Sequence, residues 1–324
     1  MSHQLTLQIP VKVMLAGEYA LLAPGGTGLA LAVVPGFQVE VAMAAQWQIS
    51  LPDLSLSLGA QHLPDLNDCT GALRYVVAAL QVAATRLPLA HPLAITLTSM
   101  PRRVPVGASA ALVAGTLVAA AQLAETPIST AALMEASLEA HGQAQGSGSG
   151  YDVATILLGG SVLLIAGDGS IPLRAHPAPL FPGLTVVAAQ AGPAAATGPL
   201  VEAVLSRAAS EPATQQALAA HCDSTGELVE ALSAGPDWQT IAKACQGANA
   251  TLEALDRAVG GAILTPSVRA TMKAAGAFPV RVSGAGGGDL VIGFARDARE
   301  GQALAAQWHA AGFAAWPLEL APLR

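Results

Sequence analysis

A chain of 324 residues with 52% hydrophobic and 11% charged side chains can bury a large core, and its length suits two lobes better than one. The net charge of −7 argues against nucleic acid or an anionic membrane as the main partner, while leaving room for a pocket whose local field holds an anion. Mean hydropathy is +0.50, yet glycine, threonine and serine interrupt the two longest apolar stretches, Ala110–Ala121 and Val153–Ala166, so no run reaches the ~18–20 residues of a membrane helix.

The first ten residues, MSHQLTLQIP, lack the basic start and apolar centre of a signal peptide. Leu5, Leu7 and Ile9 alternate and predict a strand over 5–9, which Pro10 is expected to break. Val11–Leu15 predicts a second strand, Leu29–Val34 a buried one, and Phe37–Val41 the next of a meander. Short strands and turns are expected over 45–65. Asn67 or Asp68 is suited to cap a helix running to about Arg86, with Leu73, Val76, Val77, Leu80 and Ala84 on its apolar side. A strand at Ala94–Leu97 then leads through a loop with Arg102, Arg103, Pro105 and Gly107 into a long Ala/Leu/Val helix. Further helices are expected over 129–140 and 151–158, followed by a strand at 161–165. Three prolines between His176 and Pro182 mark a change of composition, and the lobe boundary is placed there. The remainder reads as a strand (184–188), helices near 197–209, 213–233, 237–258 and 265–275, a strand (279–282), a glycine-rich loop, a strand (289–294), a helix (298–311) and a last strand (313–318), resembling a split β-α-β unit. Cys69, Cys222 and Cys245 are odd in number, widely spaced and without a CxxC pair, so they are expected to be free thiols in a reducing cytoplasm and not metal ligands.

Strand, small-residue loop and helix N-terminus form a geometry that binds phosphate, because first-turn N–H groups lack intrahelical partners and the helix dipole adds partial positive charge. Ser109 stands there, able either to cap the helix or to reach a phosphate-bound cation. Arg102 and Arg103 are either a solvated pair or anion ligands. Only three lysines occur, and Lys12 lies within an apolar strand; it is either an edge lysine with its head in water or a cation beside a transferring phosphoryl group. Asp152 follows GSGSGY at a helix start, as a cap or as a carboxylate facing a hydroxyl. Ser147 and Ser149 are loop polar groups or substrate donors, and His141 is assigned no chemistry. Four glycines within Ser283–Asp289 exceed what a hairpin turn needs and suit close approach of backbone to a ligand. There is no Walker A sequence GxxxxGK(S/T) and no GxGxxG after a first strand, which excludes P-loop and dinucleotide-binding readings.

The stretches PVKVMLAGEYALLAPGG, VPVGASAAL and VRVSGAGGGDL resemble, in order and spacing, the three motifs of the GHMP kinases. Within that family, LAGEYALLAPG, AHGQAQGSGSGYDVATILLGG and AGPAAATGPLVEAV are most similar to the phosphomevalonate kinases, and the likeness covers most of the chain. It implies an α+β, two-lobed GHMP kinase-like fold: an N-terminal mixed α/β nucleotide-binding lobe (1–178) and a C-terminal ferredoxin-like α+β lobe (179–324). It implies Lys12 and Asp152 as catalytic residues; Arg103, Gly107, Ala108, Ser109 and Ala110 as nucleotide and phosphate ligands; and Ser109 as the magnesium ligand. Glu18, Tyr19, Ser147, Ser149, Thr197, Ser283, Gly284, Ala285 and Gly286 fall at substrate-binding positions. The implied activity is phosphoryl transfer from ATP, with Mg2+, to a small phosphorylated acid, 5-phosphomevalonate. The implied protein is cytoplasmic, with no nucleic-acid or membrane partner, and compatible with a homodimer. The alternatives are another acceptor such as mevalonate, a decarboxylase of the same superfamily, and an inactive nucleotide-binding homologue. Departures from the motifs are Pro105 for glycine, Ala108 and Ala196 for serine, Arg281 for lysine, and His141 where mevalonate kinases carry glutamate. Cations near the loops are few, namely Lys12, Arg102, Arg103 and Arg281, and these are the expected partners of an anionic ligand.

Overall fold

The computed structural model describes residues 4–52, 56–99, 108–125, 127–146, 149–167, 173–193 and 197–323. By their internal contacts the residues group into two compact units, Met1–Lys12 with Ala32–Gly160 and Leu320–Arg324, and Val13–Leu31 with Ser161–Glu319. These units follow contacts, whereas the expected boundary after residue 178 follows chain composition.

Two long strands open the chain, β1 (Gln4–Ala16) and β2 (Thr27–Met43). Each is longer than its proline suggests. Pro10 lies inside β1 and Pro35 inside β2, because the fixed φ of proline suits extended backbone and its missing donor matters only where the ladder needs one. In the first unit β3 (Trp47–Leu51) pairs antiparallel with β4 (Leu56–Ala60) and parallel with β5 (Leu93–Ser99). The strand β5 in turn pairs antiparallel with β2, from Phe37 opposite Ser99 to Met43 opposite Leu93.

Helix α1 (Gly71–Arg86) starts later than expected. Asn67 and Asp68 belong to a 3-10 turn in which the Asp65 side chain accepts from the Asn67 N–H at 2.8 Å, and Thr70 is the N-cap of the α-helix. Val76, Val77 and Leu80 are buried as expected, but Ala84 is exposed. Helix α2 (Ala108–Leu123) is apolar on every side and carries no amphipathic stripe, so it must lie inside the unit. Ala110–Ala121 and Leu123 are all buried. It packs against α1, α3 (Thr130–Gln145) and α4 (Tyr151–Leu158). Its alanines and Gly115 keep the neighbours close: a Cβ on Gly115 would lie 3.0 Å from Ile9 and 3.1 Å from Val39.

In the second unit the first part of β2 pairs with β6 (Ser161–Ile165), which pairs with β7 (Arg174–Pro177). The later residues follow the expected order closely: β8 (Thr185–Gln190), α5 (Thr197–Ser210), α6 (Pro212–Ala234), α7 (Trp238–Ala258), α8 (Pro266–Ala274), β9 (Val280–Val282), β10 (Leu290–Ala295), α9 (Ala298–Ala310) and β11 (Ala315–Pro317). Strands β11, β8, β10 and β9 form an antiparallel sheet in that order. Counted along the chain this is fourth, first, third, second, the ferredoxin-like arrangement. Val187, Ala189, Val291, Leu304, Trp308, Leu252 and Ile263 are among its core residues. The fold class expected from sequence, α+β with a ferredoxin-like C-terminal part, is thus found. Cys69 and Cys245 are buried and Cys222 half-buried, all as free thiols. Among the described residues, no helix is long and apolar enough to cross a membrane.

A polar cluster crosses the α6–α7 packing. His221 on α6 is fully buried, with Nδ1 3.1 Å from Thr251 Oγ1 and Nε2 3.1 Å from the Glu18 carbonyl oxygen. A carbonyl only accepts, so Nε2 carries the proton and Nδ1 accepts from the Thr251 hydroxyl. Burial pushes the ring's pKa from 6.5 down to about 4.

Two predictions follow from these cores. A Cβ on Gly36 would stand 2.1 Å from the Ile9 carbonyl oxygen, in β1 backbone that cannot yield, whereas Gly142 in α3 faces open space. Gly36→Ala is expected to destabilise by roughly 1–3 kcal/mol and Gly142→Ala to stabilise by up to about 1 kcal/mol, as read from urea unfolding. For His221, the unfolded chain binds a proton near pH 6.5 that the folded chain refuses until about pH 4. Its contribution is therefore intact above about 6.5 and is lost as pH falls through that window, by about 3 kcal/mol in all. His221→Gln is expected to unfold with a shallower pH dependence between 6.5 and 4 than the parent protein.

Candidate active site

In the first unit, β1 places Lys12 among buried apolar neighbours, with only 8% of its own surface exposed. An ammonium in such surroundings needs partners. Its Nζ donates to the Tyr151 hydroxyl and lies 4.5 Å from the centroid of the same ring, so one aromatic residue supplies both a hydrogen-bond acceptor and a negative π face. Tyr151 is the first residue of α4, after Gly150 in the left-handed region at φ 74°. Asp152 is next, half-buried in the first turn, with its carboxylate accepting from the Val153 N–H at 3.0 Å. The side chain thus partly caps the helix, as one sequence reading has it, while Gly150 is the N-cap residue.

Ala108, Ser109 and Ala110 form the first turn of α2, and that turn contains no acidic residue to satisfy the helix N-terminus. Ser109 is half-buried, and its Oγ lies 3.2 Å from Nε2 of His141, a buried residue of α3. The His141 ring also meets that of Tyr75, centroid to centroid at 5.6 Å. Ser149 is exposed before α4. Arg103, Gly107 and Ser147 lie outside the described residues.

In the second unit, Glu18 and Arg281 face each other as an ion pair with both side chains fully buried. Arg281 Nη1 donates to Asn249 Oδ1 at 3.1 Å, and Asn249 in turn donates to the Val280 carbonyl at 2.8 Å. Glu18 Oε2 and Arg281 Nε have no hydrogen-bond partner among the described residues. Burial lowers the Arg281 guanidinium from its ordinary pKa, and the adjoining Glu18 carboxylate gives this buried cation its counter-charge. Arg281, expected among the cations meeting an anionic ligand, is instead engaged inside the unit.

Tyr19 is buried and donates its hydroxyl to the Ala285 carbonyl at 2.5 Å. Burial, with the charge of Asp256 adding to it, holds this phenol well above its ordinary pKa, so the donor proton stays in place. Ser283 is buried, and its Oγ donates to the Met14 carbonyl at 3.0 Å. Gly284, Gly286, Gly287 and Gly288 all have positive φ, between 77° and 155°. At Gly286 a Cβ would lie 2.6 Å from the Ile263 carbonyl oxygen, which also accepts from the Gly287 N–H at 2.8 Å. The glycines of the loop are therefore required by backbone conformation and by close approach to residue 263. Thr197 is exposed as the first residue of α5.

The structure thus brings Lys12 to the residue before Asp152, and Glu18, Tyr19 and Ser283 to the strand and loop over 281–285. Three residues with evident partners were given no role from sequence. Tyr151 stood next to Asp152 and, in a chain with 4% aromatic residues, its place at a helix start was a usable signal. His141 meets Ser109 only through packing of α3 on α2, and Asn249 meets Arg281 only through packing of α7 on β9; spacing along the chain reveals neither.

A family model for the N-terminal domain of GHMP kinases matches residues 74–160, and one for the GHMP kinase C-terminal domain matches 227–314, together just over half of the chain. The phosphomevalonate kinase of Streptomyces sp. (strain CL190) is 27% identical over an alignment of 358 residues that takes in 95% of each chain. Among solved structures, a Lin0012 protein from Listeria innocua superposes with a TM-score of 0.86 at 19% identity, over 99% of both chains. The Streptococcus pneumoniae phosphomevalonate kinase, in complex with phosphomevalonate and AMPPNP, superposes with a TM-score of 0.80 at 19% identity, over 98% of this chain and 99% of that one. At these identities the structural likeness speaks for the fold, and the two family models carry the assignment: the chain belongs to the GHMP kinase family.

Proposed function

We propose that this phosphotransferase moves the γ-phosphoryl group of ATP to 5-phosphomevalonate, giving 5-diphosphomevalonate. The observation that carries the chemistry is Lys12, a buried ammonium held by Tyr151 beside Asp152. Phosphoryl transfer asks for positioning and charge stabilisation more than for covalent chemistry, and a fixed cation supplies both. The acceptor is suggested by the likeness to the Streptomyces phosphomevalonate kinase, which extends over 95% of both chains.

The first turn of α2 fits a nucleotide phosphate. Its residues are small, first-turn N–H groups have no intrahelical partner, and the turn carries no acidic residue of its own. Ser109 is the hydroxyl we assign to the magnesium ion, which takes most of its oxygen ligands from phosphates and water. When bound, Mg-ATP supplies the transferable phosphoryl group and much of the charge neutralisation. The terminal phosphate of the acceptor is largely ionised at neutral pH. Asp152 therefore has no hydroxyl proton to remove and acts by orienting its neighbours, while Lys12 offsets charge that develops during transfer.

The test is ADP release by purified protein with Mg-ATP and, in turn, phosphomevalonate, mevalonate and diphosphomevalonate. Phosphomevalonate is expected to give the highest kcat/KM. Faster turnover of mevalonate, or release of carbon dioxide from diphosphomevalonate, would overturn the acceptor. Asp152→Asn is expected to lower kcat by roughly 100-fold, the scale of lost positioning, with little change in unfolding midpoint. Lys12→Met is expected to depress kcat more than it raises either KM, since its charge is needed most in the transition state. An unchanged kcat in either variant contradicts the role given to that residue.

A further inference from the structure

We propose that residues 14–19 form a clasp that holds the glycine-rich loop 283–288 in its working shape, so that Glu18, Tyr19 and Arg281 are positioning residues and do not touch the acceptor. The inference rests on the reading above for what the loop serves, but its geometry lies wholly within the second unit. Three ties join the same two short segments: the Ser283 hydroxyl to the Met14 carbonyl, the Arg281 guanidinium to the Glu18 carboxylate, and the Tyr19 hydroxyl to the Ala285 carbonyl. They fall at spaced points along β9 and into the loop, so together they fix both the direction in which the chain enters the loop and the first peptide within it. The far side of the loop is held independently, through the Gly287 N–H to Ile263. The N–H groups of Ile263 and Leu264 both donate to the buried Asp256, which Arg269 also meets.

A loop with four glycines at positive φ has little conformational preference of its own, and without ties such a segment would sample many states. External ties must therefore supply its order. The chemistry of the ties also argues against direct contact with a phosphorylated acid. Glu18 is an anion, and an anionic ligand gains nothing from it. One of its carboxylate oxygens faces Arg281, and the side chain exposes no surface. The Tyr19 hydroxyl is spent on a backbone carbonyl, while its ring belongs to the hydrophobic core with Val187, Leu252 and Ile263.

Tyr19→Phe tests this most cleanly, because the ring keeps its packing and only the tie to Ala285 is lost. Amide hydrogen exchange would be followed by mass spectrometry on the full chain without nucleotide or acceptor. Exchange within 283–288 is expected to rise roughly 5- to 30-fold, with α2 and α4 unchanged and the unfolding midpoint shifted little. Glu18→Gln, which leaves the Arg281 charge opposite a neutral group, is expected to accelerate the same amides at least as much. Arg281→Lys, which keeps the charge but cannot reproduce the fork that meets both Glu18 and Asn249, is expected to accelerate them less than Glu18→Gln does. In turnover, Tyr19→Phe should lower kcat while leaving acceptor KM within about 3-fold. Unchanged exchange in the loop, a uniform rise across the chain, or a raised acceptor KM with kcat kept would each overturn the clasp. If no acceptor is turned over at all, the proposed function fails, and the exchange pattern still decides the clasp by itself.

Discussion

The pair Glu18–Arg281 is the constraint on which the second unit's architecture turns. Moving two charges fully out of water costs several kcal/mol for each ion after relaxation, and only close apposition with further hydrogen bonds offsets it. Such a pair adds little to net stability but tolerates no alternative arrangement, because any displacement leaves a buried charge unmatched. Asn249 from α7 takes one further donor of the guanidinium, and the backbone oxygen of Glu18 is held by His221 from α6. Two helices and one strand are thereby locked to a tight turn near the start of the chain. That turn could not hold its place through its own short sequence, since the 3-10 turn that follows it spans only Ala20–Leu22.

The first unit meets a related problem differently. Its organising element is α2, whose all-apolar surface compels burial and whose alanines let three helices approach. Close helix packing around a small-residue core leaves the first turn of α2 as the place where the helix end meets polar groups, and Ser109 and His141 sit there. The lysine of β1 meets both the hydroxyl and the ring face of Tyr151, which helps to compensate its burial.

Much of the fold was legible in the sequence because its signals are local. The exact span of α4 and of β6, and the order of elements from β8 to β11, follow from apolar periodicity broken by glycine and proline. The misreadings are also local in origin. Pro10 looked like a terminator, yet a strand of Gln4–Ala16 runs through it. Asn67 and Asp68 looked like helix caps, yet they serve a 3-10 turn tied by Asp65, and α1 begins after Thr70. Ala84 is exposed although it shares the helical face of Leu80, because alanine is too small for its burial to be dictated. Of the candidate site, the sequence marked places where a residue type was itself unusual: a lysine in an apolar strand, or four glycines between two strands. The site was not legible where meaning lies in a partner far along the chain. Nothing near Arg281 announces Glu18; only the rule that a buried charge seeks its opposite would have suggested the match, and the sequence does not say that Arg281 is buried.

The central claim is transfer of a phosphoryl group onto a phosphate that is already present on a small acid. Phosphorus NMR of a reaction mixture containing the protein, Mg-ATP and phosphomevalonate reads this directly. The account expects the monoester resonance of the acceptor to decline as a pair of coupled diphosphate resonances appears, in step with ADP. Consumption of ATP with the monoester resonance unchanged, or a product carrying only a new isolated monoester, would contradict it.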